Sequence, residues 1–300
     1  MRNNLNPFYV TGFIDAEGCF HVSIVNNNEL KTGKSVRARF QISLNKKDKT
    51  LLEQIKNFFC VGKVIDRGDD VFYYQISTVK DLMLIINHFE KYPLISEKHA
   101  DFLLFKNVLE IIKREEHLSM EGLKKILSFK ATLNNGLPGS LKADFPDVIP
   151  ILRPLVNSPQ VLDPNWVSGF ADGEGCFFIN IYKKKESVLG EGVNLVFKIT
   201  QDKRNSELLT SFVEFFGCGG IYSQSRTGNV KDFIVKRFSD LTDRIIPFFE
   251  TFPLQGAKSK EFKDFKEAAE LMKLKSHLTR EGLEQIRAIK SRMNFKRKDI

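Results

Sequence analysis

The chain has no apolar run longer than a few residues, whereas a transmembrane helix needs about 20. No membrane partner is therefore expected. It has only four cysteines, Cys19, Cys60, Cys176 and Cys218, with no CxxC pair and no metal-ligand spacing. That spacing supports neither a disulfide framework nor a thiolate metal centre, and buried free thiols in a reducing compartment are the expectation. Only five residues precede Asn6-Pro7, where folded structure is expected to begin. That is too little for a signal or transit peptide. Acidic charge is in deficit: 37 Asp plus Glu face 46 Lys plus Arg, a net charge of +9. Such a balance points to a polyanionic partner. Phenylalanine, by contrast, is abundant, with 27 residues in 300, enough for one large core or two ordinary ones.

The second feature is internal repetition. Val10-Thr11-Gly12-Phe13-Ile14-Asp15-Ala16-Glu17-Gly18-Cys19-Phe20 returns as Val167-Ser168-Gly169-Phe170-Ala171-Asp172-Gly173-Glu174-Gly175-Cys176-Phe177, offset by 157 (174 − 17). The offset holds through Phe40/Phe197 and Leu52/Leu209, then becomes 160 (249 − 89) for Phe89/Phe249, Pro93/Pro253, Lys98/Lys258 and Phe105/Phe265. Glu116-His117-Leu118 and Ser276-His277-Leu278 match as well. The chain is therefore a duplicated unit: residues 1–133, a linker over 134–162, and residues 163–300. Six of the ten prolines (Pro138, Pro146, Pro150, Pro154, Pro159 and Pro164) lie at or beside the linker. Its Phe145, Val148, Ile149, Ile151, Leu152 and Leu155 predict that it is packed down.

Within each half, Asn6-Pro7 and Asp163-Pro164 read as helix starts, so the repeated motif lies on a helix. Strands are predicted at 20–25 and 36–44, and again at 177–183 and 193–201. A helix follows near 49–59, then hairpins around Gly68-Asp69-Asp70 and Thr227-Gly228-Asn229. Apolar periodicity over 80–131 and 240–292 reads as helices broken at Pro93 and Pro253. The fold class is α+β: two pseudo-symmetric αββαββα repeats, each with a four-stranded antiparallel sheet.

Gly12 and Ala16, like Gly169 and Gly173, form a stripe of small residues that lets two helix backbones approach. Glu17 and Glu174 follow that stripe at the helix ends. A carboxylate at a helix C-terminus opposes the macrodipole by about 0.3–1 kcal/mol, and two near one another repel. A divalent cation removes both objections, and hard oxygen ligands point to Mg²⁺, with the Ala16 and Gly173 carbonyls as further ligands. A lone glutamate at a helix end is most simply an exposed surface residue; repetition beside a packing stripe favours the metal. Asp15 and Asp172 point elsewhere, at about 100° per residue, and are read as structural hydrogen-bond or capping groups at the turn into the first strand. His117 and His277 are read as packing residues.

On these residues the chain resembles the LAGLIDADG homing endonucleases. Val10–Gly18 and Val167–Gly175 look like the two motifs of the monomeric type encoded in fungal mitochondrial introns. One such nonamer is weak evidence; two, each opening a whole matching repeat over residues 6–295, are specific. The resemblance implies two saddle-shaped sheets on DNA and Glu17 and Glu174 as metal-binding catalytic acids. It implies a staggered double-strand break in a long non-palindromic site, made by a monomer in the mitochondrion, with Mg²⁺ replaceable by Ca²⁺ or Mn²⁺. The family's glutamine after the second strand and basic residue at the end of the fourth match Gln201 and Arg237, beside Lys236. The first half has Leu44 and Thr78 there, so its basic assistant is open. Two alternatives stay in play: an intron maturase, with RNA as partner, and a non-cleaving DNA-binding protein. Retention of both glutamates favours the nuclease.

Strict alternation places Arg37, Arg39, Gln41 and Ser43 on one face of a strand, opposite Val36, Ala38, Phe40, Ile42 and Leu44. Asn194, Lys198 and Thr200 are their counterparts. Such side chains suit base edges in the major groove. Hairpins and loops add Asn26, Asn28, Lys34, Lys63, Arg67, Lys183, Tyr222, Gln224 and Arg226. Lys46 and Lys203, at matched positions, are expected phosphate contacts. The plain alternative for each is an ordinary solvated sheet face.

Overall fold

A computed structural model of the chain describes residues 5–156, 162–224 and 228–293. The first repeat runs α1 (Pro7–Glu17), β1 (Gly18–Asn26), β2 (Lys34–Asn45), α2 (Lys49–Phe59), β3 (Lys63–Asp66), β4 (Val71–Ile76), α3 (Val79–Lys91), α4 (Lys98–Lys113) and α5 (Met120–Thr132). After a short α6 (Gly139–Asp144), the second repeat runs α7 (Pro164–Glu174), β5 (Gly175–Lys183), β6 (Glu191–Asp202), α8 (Ser206–Phe216), β7 (Gly220–Ser223) and β8 (Val230–Val235). It closes with α9 (Phe238–Asp240), a π-helical turn (Leu241–Ile245), α10 (Ile246–Thr251), α11 (Lys258–Lys273) and α12 (Arg280–Arg292). Each repeat carries one antiparallel sheet of four strands, in the orders β1-β2-β4-β3 and β5-β6-β8-β7. The registers agree as closely as the sequences: Gly18 faces Ile42 and Phe20 faces Phe40, as Gly175 faces Ile199 and Phe177 faces Phe197.

Phenylalanine builds both cores. Phe20 lies 5.2–6.0 Å from Phe40, Phe89, Phe102 and Phe105. Phe177 lies 4.9–5.4 Å from Phe197, Phe249, Phe262 and Phe265. These rings bridge the inner face of each sheet and the helices laid on it, each contributing about 2–3 kcal/mol by burial. Amphipathic α2 buries Leu51, Leu52, Ile55 and Phe59 at helical spacing. The repeats differ at Pro247. It has no N–H to donate into the helix, and the preceding turn widens into a π-helix where α3 stays regular.

Packing divides the chain differently from repetition. One compact unit runs from Glu17 to Asn157; the other joins Phe8–Ala16 of α1 to the chain from Ser158 onward. The linker's first part belongs to the first unit. Leu137 and Leu141 pack on Leu123 and Leu127, with Phe145 and Val148 beside them. Thr132 donates to the Ile151 carbonyl and the Ile151 N–H donates to the Ser128 carbonyl. The linker is packed down through part of its apolar residues, while Ile149, Leu152 and Leu155 are 78%, 91% and 91% exposed. Along this extended segment alternate side chains face opposite ways. Ile151 and Arg153 take the inner positions, Arg153 holding Glu97 and Asp101.

The thiols are free, as expected, but only Cys218 is buried; Cys19 and Cys176 are half-buried and Cys60 is exposed. Cys60 ends α2 in a left-handed conformation, φ 58°, which turns it to the surface. His117 and His277 sit half-buried in short 3₁₀ turns, consistent with packing. Among the described residues no helix is long and apolar enough to cross a membrane.

Candidate active site

The two motif helices, α1 from Phe8 to Ala16 and α7, share the second unit and cross at their glycines. A Cβ on Gly12 would lie 2.0 Å from the Trp166 carbonyl oxygen, and one on Gly169 would lie 2.0 Å from that of Tyr9. Backbone thus meets backbone, the close approach that the small-residue stripe predicts. Reciprocal hydrogen bonds lock the crossing. The Trp166 indole donates to Asp15 Oδ2 at 3.0 Å, and the Tyr9 hydroxyl donates to Asp172 Oδ2 at 2.6 Å. Asp172 Oδ2 also accepts from the backbone N–H of Gln255 (2.6 Å) and Gly256 (2.8 Å). Burial pushes the Asp172 carboxyl up, against the lowering effect of these donors. The aspartates are structural acceptors, as expected. The neighbouring motif helix holds both, and the loop before α11 also holds Asp172.

Glu17 and Glu174 are the last residues of α1 and α7, both half-buried. A lysine stands beside each helix end. Lys98, at the start of α4, donates to the Gly18 carbonyl. Lys258, at the start of α11, donates to the carbonyls of Gly173 (2.6 Å) and Ala171 (3.2 Å). Helix C-termini leave carbonyls unpaired and partly negative, so an ammonium group is favourable there. The pair is visible in the sequence as Lys98/Lys258 at the constant offset of 160. It carries no motif of its own, and only the fold brings it to the glutamates.

Among the described residues no three His, Cys, Asp or Glu side chains cluster as metal ligands. The helix ends instead offer hard oxygens, a carboxylate with backbone carbonyls, which fit Mg²⁺ or Ca²⁺ rather than a soft metal. The Gly173 carbonyl is engaged by Lys258, but a carbonyl has two lone pairs. Half-buried Cys19 and Cys176 follow the motif glycines, and burial pushes both thiols up, so they remain neutral.

Gln201 is the penultimate residue of β6 and accepts from the Asn205 side chain at 2.7 Å. Strand β8 ends at Val235, so Arg237 lies two residues beyond it, where it precedes α9 and pairs with Asp240.

The faces of the first sheet divide as the alternation predicts, whereas in the second Leu195, Val196 and Phe197 are all buried. Ala38, Phe40 and Ile42 are buried while Arg37, Arg39 and Ser43 are exposed and Gln41 is half-buried. Asn26, Asn28, Lys46, Lys63, Arg67, Lys183, Lys203, Tyr222 and Gln224 are exposed. Asn194, Lys198 and Thr200 are only half-buried. The Lys34 side chain is 12% exposed, pairs with Asp144 of α6 and donates to Asn26. It straps the linker to β2, a role set by where α6 docks. Arg226 lies outside the described residues.

Two α+β repeats, each led by a glutamate-ended helix with a lysine against its end, define a duplicated architecture. The chain belongs to the LAGLIDADG endonuclease family, whose model matches residues 10–109 and 167–269. It is 42% identical over 302 residues to the probable intron-encoded endonuclease 2 of Neurospora crassa, covering 96% of this chain and 65% of that protein's own length. The homing endonuclease I-SmaMI, solved bound to cleaved DNA, is 43% identical with a TM-score of 0.95, over 98% of each chain. The same endonuclease bound to uncleaved target in the presence of calcium ions gives 0.94 at 42% identity, over 97% of this chain and 99% of that one.

Proposed function

We propose that this chain is a monomeric mitochondrial homing endonuclease. It makes a staggered double-strand break in a long asymmetric DNA site by hydrolysis that depends on Mg²⁺. The observation that carries this is the twofold occurrence of a helix-terminal glutamate with a lysine against the adjoining backbone carbonyls. The I-SmaMI complexes with cleaved and calcium-bound DNA support the reaction and a divalent cation. The intron-encoded Neurospora relative supports the origin.

Glu17 and Glu174 hold the cations, with the Ala16 and Gly173 carbonyls as further oxygens. A bound divalent cation supplies Lewis acidity at the scissile phosphate. Lys98 and Lys258 add positive charge where the phosphate becomes more negative in the transition state. Gln201 and Arg237 assist at most one strand, since Leu44 and Thr78 replace them in the first repeat. The outward arginines, lysines and amides of the two sheets bind the duplex. Because Arg39 is matched by Val196, unlike half-sites are read.

The deciding experiment is cleavage of a duplex-site library with Mg²⁺ and with chelator, by wild type, Glu17→Gln and Glu174→Gln. Each variant should retain binding and lose double-strand cleavage. Normal cutting by either, or cutting in chelator, would overturn the assignment.

A further inference from the structure

The outward face of the second sheet carries an acid where a DNA-binding surface should be basic. Asp232, on β8, pairs with Thr200 of β6 and Tyr222 of β7, between neighbours Lys231 and Phe233. Phe233 points into the core and is fully buried, so Asp232 lies on the opposite face. Even so it is only 5% exposed. Its Oδ1 accepts from the Thr200 hydroxyl at 2.5 Å and from the Gln224 side-chain amide at 3.2 Å. The first repeat has Tyr73 here, opposite Ser43 and Ile65, so nothing in the shared fold requires a carboxylate.

The consequence is a change in what the patch offers. A threonine hydroxyl has one proton, and Asp232 takes it, leaving Thr200 Oγ1 only lone pairs. Gln224 has one amide proton committed, which fixes the plane of its side chain and the position of its carbonyl oxygen. The carboxylate itself repels phosphate. A surface so arranged accepts hydrogen bonds through Thr200 Oγ1 and the Gln224 carbonyl oxygen, keeps one donor in the second Gln224 amide N–H, and so favours a base edge that offers an amino group. In the major groove, adenine N6 and cytosine N4 are donors, whereas guanine O6 and N7 and thymine O4 are acceptors.

We propose that Asp232 is a specificity-determining residue that sets Thr200 and Gln224 to read one amino-bearing base, adenine or cytosine, in the half-site bound by the second repeat. This rests on the DNA-cleaving function proposed above. The carboxylate acts largely through its two neighbours, which explains why an acid is kept nearly buried in a face otherwise suited to a polyanion.

The test is selection from a randomised duplex library by the full-length wild type, Gln224→Ala, Thr200→Val and Asp232→Asn, followed by binding to singly substituted sites. Gln224 is exposed, so its truncation leaves the fold intact even if Asp232→Asn does not. All three variants should relax the same base pair, losing a preference of roughly tenfold for adenine or cytosine there and keeping the rest of the site. Uniform weakening at every position would overturn the proposal, as would relaxation at different base pairs or a wild-type preference for guanine or thymine at the shared one. A wild type that enriches no sequence and cuts none would instead remove the DNA-cleaving function itself, a separate result.

Discussion

The two repeats are nearly the same inside and different at their surfaces. Phe20, Phe40, Phe89, Phe102 and Phe105 have phenylalanine counterparts at every position, in matching ring clusters. On the outward faces Arg39 is matched by Val196 and Tyr73 by Asp232. Packing tolerates little change of volume, so a duplicated core stays duplicated. The outward faces carry no such packing constraint and are free to diverge. Between these extremes lie a few interior positions where one repeat has a different residue, and they are where the comparison can be tested.

The largest effect should come from the most symmetric feature. Gly12→Ala and Gly169→Ala each drive a methyl group into a carbonyl of the opposing helix. Each should destabilise the protein by about 3 kcal/mol or more, because backbone cannot swing aside as a flexible side chain can. Urea unfolding of both variants measures this. If one were tolerated and the other not, the helix crossing would be less symmetric than its geometry.

Next come the lysines. Lys98→Ala and Lys258→Ala should each slow cleavage roughly 100-fold, with the nick accumulating in opposite strands. Strand-specific end-labelling reads this directly. Equal slowing of both strands by either variant would mean that the repeats share one catalytic apparatus rather than contributing one each.

Much of this was legible in the sequence, for identifiable reasons. Duplication turned weak local signals into strong ones: a glutamate at a helix end means little once, but Glu17 and Glu174 recur beside Gly12 and Gly169. Strict alternation placed Arg37, Arg39 and Ser43 outward correctly. What escaped depends on long-range docking. Lys98 and Lys258 are ordinary helix-start lysines until α4 and α11 bring them to the motif helices. Lys34 reads in the sequence as a DNA-contact residue, and nothing local announces that α6 supplies Asp144. Asp15 and Asp172 had the expected kind of role, but their partners Trp166 and Tyr9 are 151 and 163 residues away.

A pH-dependent difference should come third. His88 packs 5.1–5.5 Å from Phe58, Phe59, Phe89 and Tyr92, while its counterpart Phe248 meets Phe215, Phe216, Phe249 and Phe252. Burial holds the His88 imidazole down from 6.5 to about 4. Protons therefore bind the unfolded chain first as the pH falls. The stability contributed by neutral His88 is complete above pH 6.5 and is lost as pH drops through the window to about 4. At about pH 4.5 the loss should be roughly 2–3 kcal/mol. His88→Phe, which copies the second repeat, should remove that part of the acid sensitivity. Urea unfolding at neutral and acid pH checks it; identical losses for wild type and variant would show that His88 does not sense pH.

The smallest effect should come from the residue that ends α2 in the first repeat and α8 in the second. Cys60 and Gly217 occupy the same place, both left-handed, at φ 58° and 61°. Side chains pay about 1–2 kcal/mol for that conformation and glycine does not, although glycine gives back about 0.5–1 kcal/mol through its freer unfolded chain. Cys60 also loses a weak thiol contact to the Asn57 carbonyl when replaced. Cys60→Gly should therefore stabilise by only a few tenths to about 1 kcal/mol. The reverse exchange is not its mirror image. Beside Gly217 the Arg244 guanidinium donates to the Phe216 carbonyl at 2.8 Å, and a Cβ on Gly217 would lie 2.3 Å from Arg244 Nη1. At the corresponding place the first repeat has Leu84, which is 45% exposed and leaves that cap unmade. Gly217→Ala must therefore bear both the backbone strain and displacement of the guanidinium, and should cost more than Cys60→Gly gains. Paired thermal and urea unfolding of the two variants would decide it. Equal and opposite shifts would mean that backbone conformation alone separates the two helix ends, with the arginine cap contributing nothing.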